Sequence, residues 1–297
     1  MPFFIYKKER NMMDIEKEKK EKLDSLVKDL LKEKFVLAFS GGVDSSLILK
    51  LASVYRKEKN DVVAIMYNTN TTPDGDLENS QNLADEMDVD LRVVDIDVFD
   101  NEYIKHNTID RCYHCKSFLF EEAFKLKDEL GYKYVVDGSN LDDYKVFRPG
   151  VRALNDKGVV SPLKEAGFTK DMVRAYAKEL NLSVYKRPSA PCLATRFPYN
   201  ELIDKDKFEA INKAEIYLKD LGLENVRVRV YGDNTRIEVD RKDFDKVFNN
   251  VDEIVAKLKD FGFKYVNLDL EGYRSGSMDE VIEKEDKLKL NPWLDHE

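Results

Sequence analysis

Short apolar runs alternate with helical patterns through the first half of the chain. Four runs rich in valine, isoleucine and aromatic residues have the length and composition of buried strands. They are Phe35–Phe39, Val62–Tyr67, Leu91–Ile96 and Tyr134–Val136. Leucines at helical spacing precede the first run, over residues 10–34. Because strands separated by helices pair in parallel through right-handed crossovers, this pattern predicts a doubly wound α/β sheet.

The second half of the chain follows a different pattern. Residues 141–200 are irregular and rich in proline, and a helix predicted at Thr169–Leu180, with Thr169 as its N-cap, interrupts them. From about Asp204 the pattern predicts a helix, two strands, a second helix and a last strand. These strands are predicted at Val226–Tyr231, Arg236–Asp240 and Tyr265–Leu270. We therefore predict an α/β domain over residues 1–200 and a small α+β domain over residues 201–297.

The charge of the chain bears on its location and partners. No apolar run reaches the roughly 18 residues that a membrane span needs, and the N-terminus is too charged for a signal peptide. We therefore expect a cytoplasmic protein without a membrane partner. The chain carries a net charge of −9. Its predicted second domain contains 17 lysines and arginines against 24 aspartates and glutamates. An acidic surface repels a polyanion, so nucleic acid is not the expected partner.

A glycine-rich segment, Ser40–Ser46 with the sequence SGGVDSS, directly follows the first strand and opens a helix. Glycines let successive amide groups turn toward one anion, and the helix N-terminus adds positive partial charge. Asp44 would repel phosphate unless Mg²⁺ lies between them, so we assign it to the metal or to a backbone contact. The alternative is an ordinary turn followed by an acidic residue at the start of a helix. The position of the segment between strand and helix favours a phosphate loop.

This segment resembles the PP-loop of the N-type ATP pyrophosphatases. The resemblance implies that ATP and Mg²⁺ bind here and that a substrate oxygen attacks the α-phosphorus, giving an adenylate and pyrophosphate. A kinase-type P-loop is absent. Tyr67, at the end of the second strand, matches the family's usual adenine contact, although simple packing also explains it. The nucleotide-binding residues assigned from the sequence are Ser40, Gly41, Gly42, Asp44, Ser45, Ser46, Tyr67 and Gly138.

The three cysteines of the chain, Cys112, Cys115 and Cys192, form the second informative pattern. An odd number in an intracellular chain argues against a disulfide framework. Cys112 and Cys115 are spaced so that both thiolates reach one metal centre, at a junction of loop and helix. Inert buried thiols and a zinc site with His114 as fourth ligand are two interpretations. A [4Fe–4S] cluster with three cysteine ligands and one open iron is the third, and we rank it first.

Several stretches together resemble the LarE family of sulfur-insertion enzymes, over nearly the whole chain from about residue 20 to 278. The stretches that carry the resemblance are Ser40–Ser45, Arg111–Lys116, Val135–Tyr144, Arg148–Leu154, Ser161–Gly167, Cys192–Tyr199 and Leu268–Met278. The family adenylates a carboxylate of pyridinium-3,5-biscarboxylic acid mononucleotide and converts it to a thiocarboxylate. Its product matures into a nickel-pincer cofactor. The resemblance therefore implies a PP-loop domain over residues 1–200 and an ATP-dependent sulfurtransferase that releases AMP and pyrophosphate.

The resemblance also implies roles for residues outside the PP-loop. Some family members give up the sulfur of a single cysteine at the position of Cys192, whereas members with three cysteines use sulfide bound to a cluster. Cys112 and Cys115 place this chain in the second group. Arg227 and Arg229 alternate on a strand, so they share a face suited to the substrate's phosphate. The remaining residues that match the family's active site are Arg196 and Glu215, with Asp142 and Asp143 as further Mg²⁺ candidates.

Four other functions use some of these features. A cluster-dependent tRNA thiolation enzyme combines the same loop and cysteines but needs a basic surface for RNA. An amidating synthetase needs a source of ammonia and has no use for the cysteines. A non-catalytic nucleotide-responsive metal protein does not need an intact phosphate loop. A sacrificial Cys192 would donate sulfur without any cluster. We expect a small-molecule substrate, a sulfide or other sulfur donor, and a homo-oligomer as in the family.

Overall fold

The computed structural model describes residues 2–72, 75–187 and 192–295, and its first half contains a four-stranded parallel sheet. The strands are β1 (Phe35–Ala38), β2 (Val62–Thr69), β3 (Leu91–Ile96) and β4 (Tyr134–Val136). In the sheet they lie in the order β3-β2-β1-β4, with Phe35 opposite Val62 on one side and Tyr134 on the other. The predicted parallel α/β sheet is confirmed. The strand order reverses between β1 and β4, which is where such sheets bind ligands.

Helices connect these strands and cover both faces of the sheet. They are α1 (Pro2–Lys32), α2 (Val43–Tyr55), α3 (Asp76–Glu86), α4 (Glu102–Lys105), α5 (Arg111–Leu130), α6 (Pro149–Lys157), α7 (Pro162–Glu165) and α8 (Lys170–Glu179). Thr169 caps α8 as predicted, because its side chain accepts a hydrogen bond from the Met172 amide. Gly131 ends α5 in the left-handed conformation, with φ of 68°.

Two predictions in this region were wrong. Residues 141–200 contain the helices α6 and α7 besides the predicted helix, so the segment is more ordered than its prolines indicated. Pro149 and Pro162 each occupy the first turn of a helix, where the missing amide hydrogen costs nothing. The sequence predicts a helix that starts near Lys116, whereas helix α5 begins at Arg111, so Cys112 and Cys115 lie in its first turns. The prolines Pro188 and Pro191 lie outside the described residues.

The second half of the chain forms a three-stranded sheet with helices, as predicted. Its strands are β5 (Val226–Tyr231), β6 (Asn234–Val239) and β7 (Tyr265–Leu268). The sheet has the order β5-β6-β7, with the first pair antiparallel and the second parallel. Helix α9 (Lys205–Asp220) precedes this sheet. The remaining helices are α10 (Phe244–Asn249), α11 (Val251–Asp260) and α12 (Lys284–Leu290).

Buried apolar side chains form separate clusters around the two sheets. One cluster packs α1, α2 and α8 against the parallel sheet, and another covers its opposite face with Phe120 and Leu154. The cluster beneath the second sheet also takes in Val98, Phe99 and Ile104 and, from the segment after Cys192, Leu193, Ala194 and Phe197. Both segments that flank the cysteines are therefore anchored in the core of the second sheet. The domain boundary near residue 200 stays a prediction.

Within the described ranges, no helix is both long enough and apolar enough to cross a lipid bilayer.

Candidate active site

The glycine-rich loop lies at the point where the strand order of the parallel sheet reverses. Gly41 has a φ of +64°, and a side chain there would come within 2.4 Å of Ser80 Oγ. Ser45 Oγ donates to the Gly42 carbonyl at 3.3 Å and lies 3.4 Å from the Ser40 amide. Gly138, from the segment after β4, packs so closely that a Cβ would lie 2.7 Å from the Ser45 amide nitrogen. These contacts fix the loop in a curled conformation that suits anion binding.

A cavity of about 270 Å³ opens beside this loop. Five of the eight predicted nucleotide-binding residues line it, namely Ser40, Asp44, Ser45, Tyr67 and Gly138. Gly41 and Gly42 shape the loop without lining the cavity, and Ser46 is fully buried in α2. The Tyr67 hydroxyl is buried and has no hydrogen-bond partner in the described part of the chain. The structure thus brings the predicted residues together around one cavity at the carboxyl end of the sheet.

Asp44 has two side-chain partners in this structure. Its carboxylate forms an ion pair with Lys170 and accepts a hydrogen bond of 3.0 Å from Asn140 Nδ2. Neither partner is a metal or a backbone group, so the proposed Mg²⁺ role of Asp44 stays a prediction. Lys170 is not among the site residues predicted from the sequence. Its position could have indicated a role at the site. Lys170 begins the helix that Thr169 caps, and a side chain there reaches toward the edge of the sheet.

Asp137 forms a second polar centre at the end of β4. Its carboxylate accepts hydrogen bonds of 2.5 Å from both Ser139 Oγ and Ser161 Oγ, and the Lys116 amino group lies 3.8 Å away. Asp137 and Lys116 both line the cavity. This pair is not among the residues predicted from the sequence, although Lys116 follows Cys115 directly. The cavity therefore holds both cationic and anionic groups close to the loop.

Helix α5 connects the cavity with the cysteines. Cys112 and Cys115 lie in its first turns, while Lys116, Leu119 and Phe120 from the same helix line the cavity. Gly150 lets α6 pack closely against the first turns of α5, since a side chain at this position would come within 3.2 Å of the Cys112 carbonyl oxygen. The glycine-rich loop and the cysteines of α5 are thus adjacent in space.

The three cysteines share one electrostatic neighbourhood. Burial raises the pKa of the Cys115 thiol, and the nearby Cys192 and Cys112 raise it further. Cys192 is exposed, whereas Cys112 is half-buried. Among the residues described, no group of three or more histidine, cysteine or acidic side chains is arranged as a ready-made metal site. The cluster and its three ligands stay a prediction.

Hydrogen bonds join the segment before α5 to the segment after Cys192. Asn107 Nδ2 donates to the carbonyl oxygens of Phe197 and Pro198, at 2.9 and 2.6 Å. The Asn200 amide donates to the Asn107 carbonyl at 3.0 Å. These bonds bring together cysteines that lie far apart in sequence.

The contacts of the His114 ring are with residues other than the cysteines. Its Nε2 lies 3.0 Å from Asp110 Oδ2, and its ring stacks on Tyr103 with centroids 3.6 Å apart. Nε2 and one face of the ring are therefore already in contact with other residues. This arrangement does not favour His114 as the fourth ligand of a zinc ion.

Arg196 and Glu215 form a buried ion pair next to the cysteine segment. Arg196 donates to both carboxylate oxygens, at 2.6 and 2.9 Å, and its remaining Nη1 donates to Thr195 Oγ1. Glu215 also accepts from the Val228 amide at 3.0 Å. Glu215 is only 3% exposed, although an acid on a helix of mixed charge usually faces solvent.

Arg227 and Arg229 share a face of β5 but have different surroundings. Arg229 is buried and donates to Glu238 Oε1 at 2.6 Å, to the Thr195 carbonyl at 2.7 Å and to Ser277 Oγ at 2.9 Å. The Arg227 guanidinium stacks over the Tyr273 ring and, among the residues that the structure describes, donates only to its own strand, at the Val226 carbonyl. Burial, together with the nearby charge of Arg196, lowers the pKa of Arg227. An anion placed beside Arg227 would relieve this repulsion.

A parallel sheet with a curled anion-binding loop at its switch point defines an α/β nucleotide-binding enzyme of the PP-loop class. A family model described as NAD synthase matches residues 15–122. A pyridinium-3,5-bisthiocarboxylic acid mononucleotide synthase from Lactiplantibacillus plantarum is 35% identical over 269 residues, which cover 90% of this chain and 95% of the relative. The chain belongs to the LarE family of ATP-dependent sulfurtransferases within that class.

Other relatives span different shares of the chain. An uncharacterized protein of Synechocystis sp. (strain PCC 6803) is 38% identical over 254 residues, covering 85% of this chain and 94% of the relative. A tRNA-specific 2-thiouridylase of Caldicellulosiruptor saccharolyticus is 24% identical over 219 residues, covering 59% of this chain and 60% of the relative. The similarity to the thiouridylase is thus weaker and shorter than the similarity to the mononucleotide synthase.

Proposed function

We propose that this protein adenylates a carboxylate of a pyridinium mononucleotide with ATP and replaces one carboxylate oxygen with sulfur. The expected substrate is pyridinium-3,5-biscarboxylic acid mononucleotide, and the expected products are the thiocarboxylate, AMP and pyrophosphate. The observation that carries this proposal is helix α5, which lines the nucleotide cavity and holds Cys112 and Cys115 in its first turns. An adenylate formed in the cavity would be adjacent to the sulfur source, where sulfide is the nucleophile.

The residues around the cavity suit the adenylation step. The loop amides, Ser40 and Ser45 are positioned to hold the pyrophosphate part of ATP at the N-terminus of α2. Lys170 supplies a positive charge next to Asp44, and ATP with Mg²⁺ would exchange this ion pair for contacts of Lys170 with phosphate and of Asp44 with the metal. We assign Lys170 to the nucleotide site on this ground, together with the residues predicted from the sequence.

The second sheet offers the substrate site. Arg227 has its guanidinium stacked on Tyr273 and lacks a carboxylate partner in the described structure, so it is the better candidate for the substrate's phosphate. Arg229 already donates to three groups and is better suited to hold Thr195 in place. The ion pair of Arg196 and Glu215 also holds Thr195 in place, because Arg196 donates to the Thr195 hydroxyl. We therefore assign these three residues to positioning the Cys192 segment.

The donor set suits an iron–sulfur cluster in its chemistry. Three thiols share one neighbourhood beside the cavity, and thiolates are the preferred ligands of such clusters. We propose Cys112, Cys115 and Cys192 as the ligands; when bound, the cluster would supply the sulfur. The chain itself brings the segments of these ligands together through Asn107.

Anaerobic turnover with the proposed substrate tests this function. Wild-type protein, ATP, Mg²⁺, sulfide and pyridinium-3,5-biscarboxylic acid mononucleotide should release pyrophosphate and give a product in which sulfur replaces oxygen, detected by mass spectrometry. Cys112→Ser should retain pyrophosphate release and lose sulfur transfer. Pyrophosphate release that depends on tRNA, and not on the mononucleotide, would instead favour the thiolation enzyme.

A sacrificial Cys192 is the second candidate for the sulfur source. Its exposure favours it, because an accessible thiol attacks an adenylate without rearrangement of the core. In that case the protein would react once and become about 34 Da lighter, the mass of the H₂S lost from a cysteine. Iron and sulfide analysis of the anaerobically purified protein, followed by intact-mass measurement after turnover, separates the two sources.

A further inference from the structure

One wall of the nucleotide cavity is formed by the loop of residues 140–148. Asp143 and Arg148 of this loop line the cavity and form an ion pair with each other. Tyr144 directly follows Asp143, and Val146 lies two residues before Arg148. Between the two cavity residues the chain reaches the surface, since Val146 is 49% exposed. The position of both cavity residues therefore depends on what supports the loop from outside.

The C-terminal segment, residues 284–294, provides this support. Asn291 is fully buried, and its Nδ2 donates to the Val146 carbonyl oxygen at 3.2 Å. The Trp293 ring packs against the Tyr144 ring, with centroids 6.2 Å apart and an angle of 48° between the ring planes. This separation is within the range in which aromatic pairs attract each other. A hydrogen bond and an aromatic contact thus connect the end of the chain with the cavity wall.

The residue types in this contact are not those that simple packing favours. Asn291 Oδ1 and Trp293 Nε1 are buried and have no hydrogen-bond partner in the described part of the chain. A buried polar atom without a partner costs free energy, so apolar side chains would make the contact more stable. Fold stability alone therefore does not explain these two residues. The Asn291 amide does what an apolar side chain cannot, because its Nδ2 fixes a backbone carbonyl of the loop at one position.

We propose that Asn291 and Trp293 are positioning residues for ATP, which hold the cavity wall from outside. Neither residue is among those that line the cavity in the described structure, so both act through Asp143 and Arg148. The ion pair with Asp143 sets the direction of the Arg148 guanidinium, and a guanidinium binds phosphate well only when it is correctly oriented. Phosphate beside Arg148 competes with Asp143, so ATP binding also changes the loop at Tyr144. This inference rests on the proposed function, since it requires ATP in the cavity.

Calorimetric titration of the full-length protein with a non-hydrolysable ATP analogue and Mg²⁺ tests the proposal. Asn291→Ala should weaken binding about tenfold, because the loop loses the hydrogen bond that fixes its carbonyl. Trp293→Ala should have a similar effect, whereas Trp293→Phe keeps an aromatic ring and should restore most of the affinity. Asn250→Ala is the matched control, since Asn250 Nδ2 also donates to a backbone carbonyl, that of Lys246, but lies between α10 and α11. Wild-type affinity in folded Asn291→Ala and Trp293→Ala, or an equal loss in Asn250→Ala, would overturn the proposal.

Steady-state kinetics separate positioning from a general loss of structure. Folded Asn291→Ala should raise the KM for ATP about tenfold and leave the kcat of pyrophosphate release nearly unchanged. A fall in kcat with an unchanged KM would overturn the proposal. ATP binding in the wild type without pyrophosphate release from the mononucleotide would refute the proposed function and leave the binding comparison valid. Absence of ATP binding in the wild type would refute both.

The wild type alone provides a second test, which decides if the variants do not fold. Trp293 is the only tryptophan of the chain, so the tryptophan emission of the protein reports on this contact alone. Its intensity or wavelength should change as the ATP analogue binds, with the half-saturation found by calorimetry. Unchanged emission at a saturating concentration of the analogue would overturn the proposal.

Discussion

The guanidinium of Arg196 donates two hydrogen bonds to the carboxylate of Glu215, and both side chains are almost fully excluded from solvent. Glu215 extends this contact to the Val228 amide on β5. One ion pair therefore ties together helix α9, an edge strand and the segment that carries Cys192. The position of that cysteine depends on a pair that is itself shielded from water and salt.

Breaking this pair should destabilise the protein. Glu215→Gln leaves the buried Arg196 charge without its counter-ion, so the free energy of unfolding should fall by about 3 kcal/mol. Urea denaturation followed by circular dichroism measures this change. The exposed pair of Glu209 and Lys213 on the same helix is the matched control, and Glu209→Gln should have little effect. Equal small changes in the two variants would contradict the argument.

The two glycines Gly138 and Gly42 should respond differently to alanine. A Cβ at Gly138 would lie 2.7 Å from the Ser45 amide nitrogen, and backbone atoms cannot move aside cheaply. At Gly42 the nearest atom is the mobile Ser40 Oγ at 3.4 Å, and its φ of −78° suits any residue. We expect Gly138→Ala to lower the free energy of unfolding by about 2 kcal/mol, and Gly42→Ala to leave it nearly unchanged. Thermal and urea unfolding of both variants would show whether this order holds.

Arg227 and Arg229 should separate into a binding and a structural role. Arg227→Met should raise the KM for the mononucleotide about ten- to hundredfold with little change in stability, because we propose its charge to bind the substrate's phosphate. Arg229→Met should lower the free energy of unfolding by about 2–3 kcal/mol, since the buried Glu238 loses one of its two charged donors and keeps only the partly exposed Arg236. Steady-state kinetics and denaturation of both variants provide the comparison. An unaltered KM in Arg227→Met would exclude Arg227 from phosphate binding.

The cysteines should differ in reactivity when iron is absent. The thiolate is the nucleophile, and the raised pKa of Cys115 keeps this thiol protonated at pH 8, whereas Cys192 is exposed. Iodoacetamide at pH 8 should therefore modify Cys192 first and Cys115 last, as mapped by mass spectrometry of peptides. Cys192→Ser serves as the control and should lose the fast phase. Rapid labelling of Cys115 in the folded protein would show that its thiol is accessible.

Much of the fold could be predicted from local patterns, because buried strands and caps leave short-range signals. The four strands of the first sheet and the cap at Thr169 are examples. Local patterns do not predict which polar side chains around the second sheet are buried. Glu215 lies on a helix of mixed charges, and only the distant Arg196 reveals that it faces inward. The contact of Lys170 with Asp44 could not be predicted for the same reason, since Asp44 lies 126 residues earlier in the chain.

The bond from Asn107 to Phe197 spans 90 residues of sequence. During synthesis at about 5–20 residues per second, the partner of Asn107 emerges roughly 5–20 s after Asn107 itself. The apolar cluster that anchors both segments draws on strands made later still. Cys112 and Cys115 therefore leave the ribosome long before the surroundings that define their site exist. Any loading of the proposed cysteine site with iron or sulfide must therefore follow the folding of the C-terminal part of the chain.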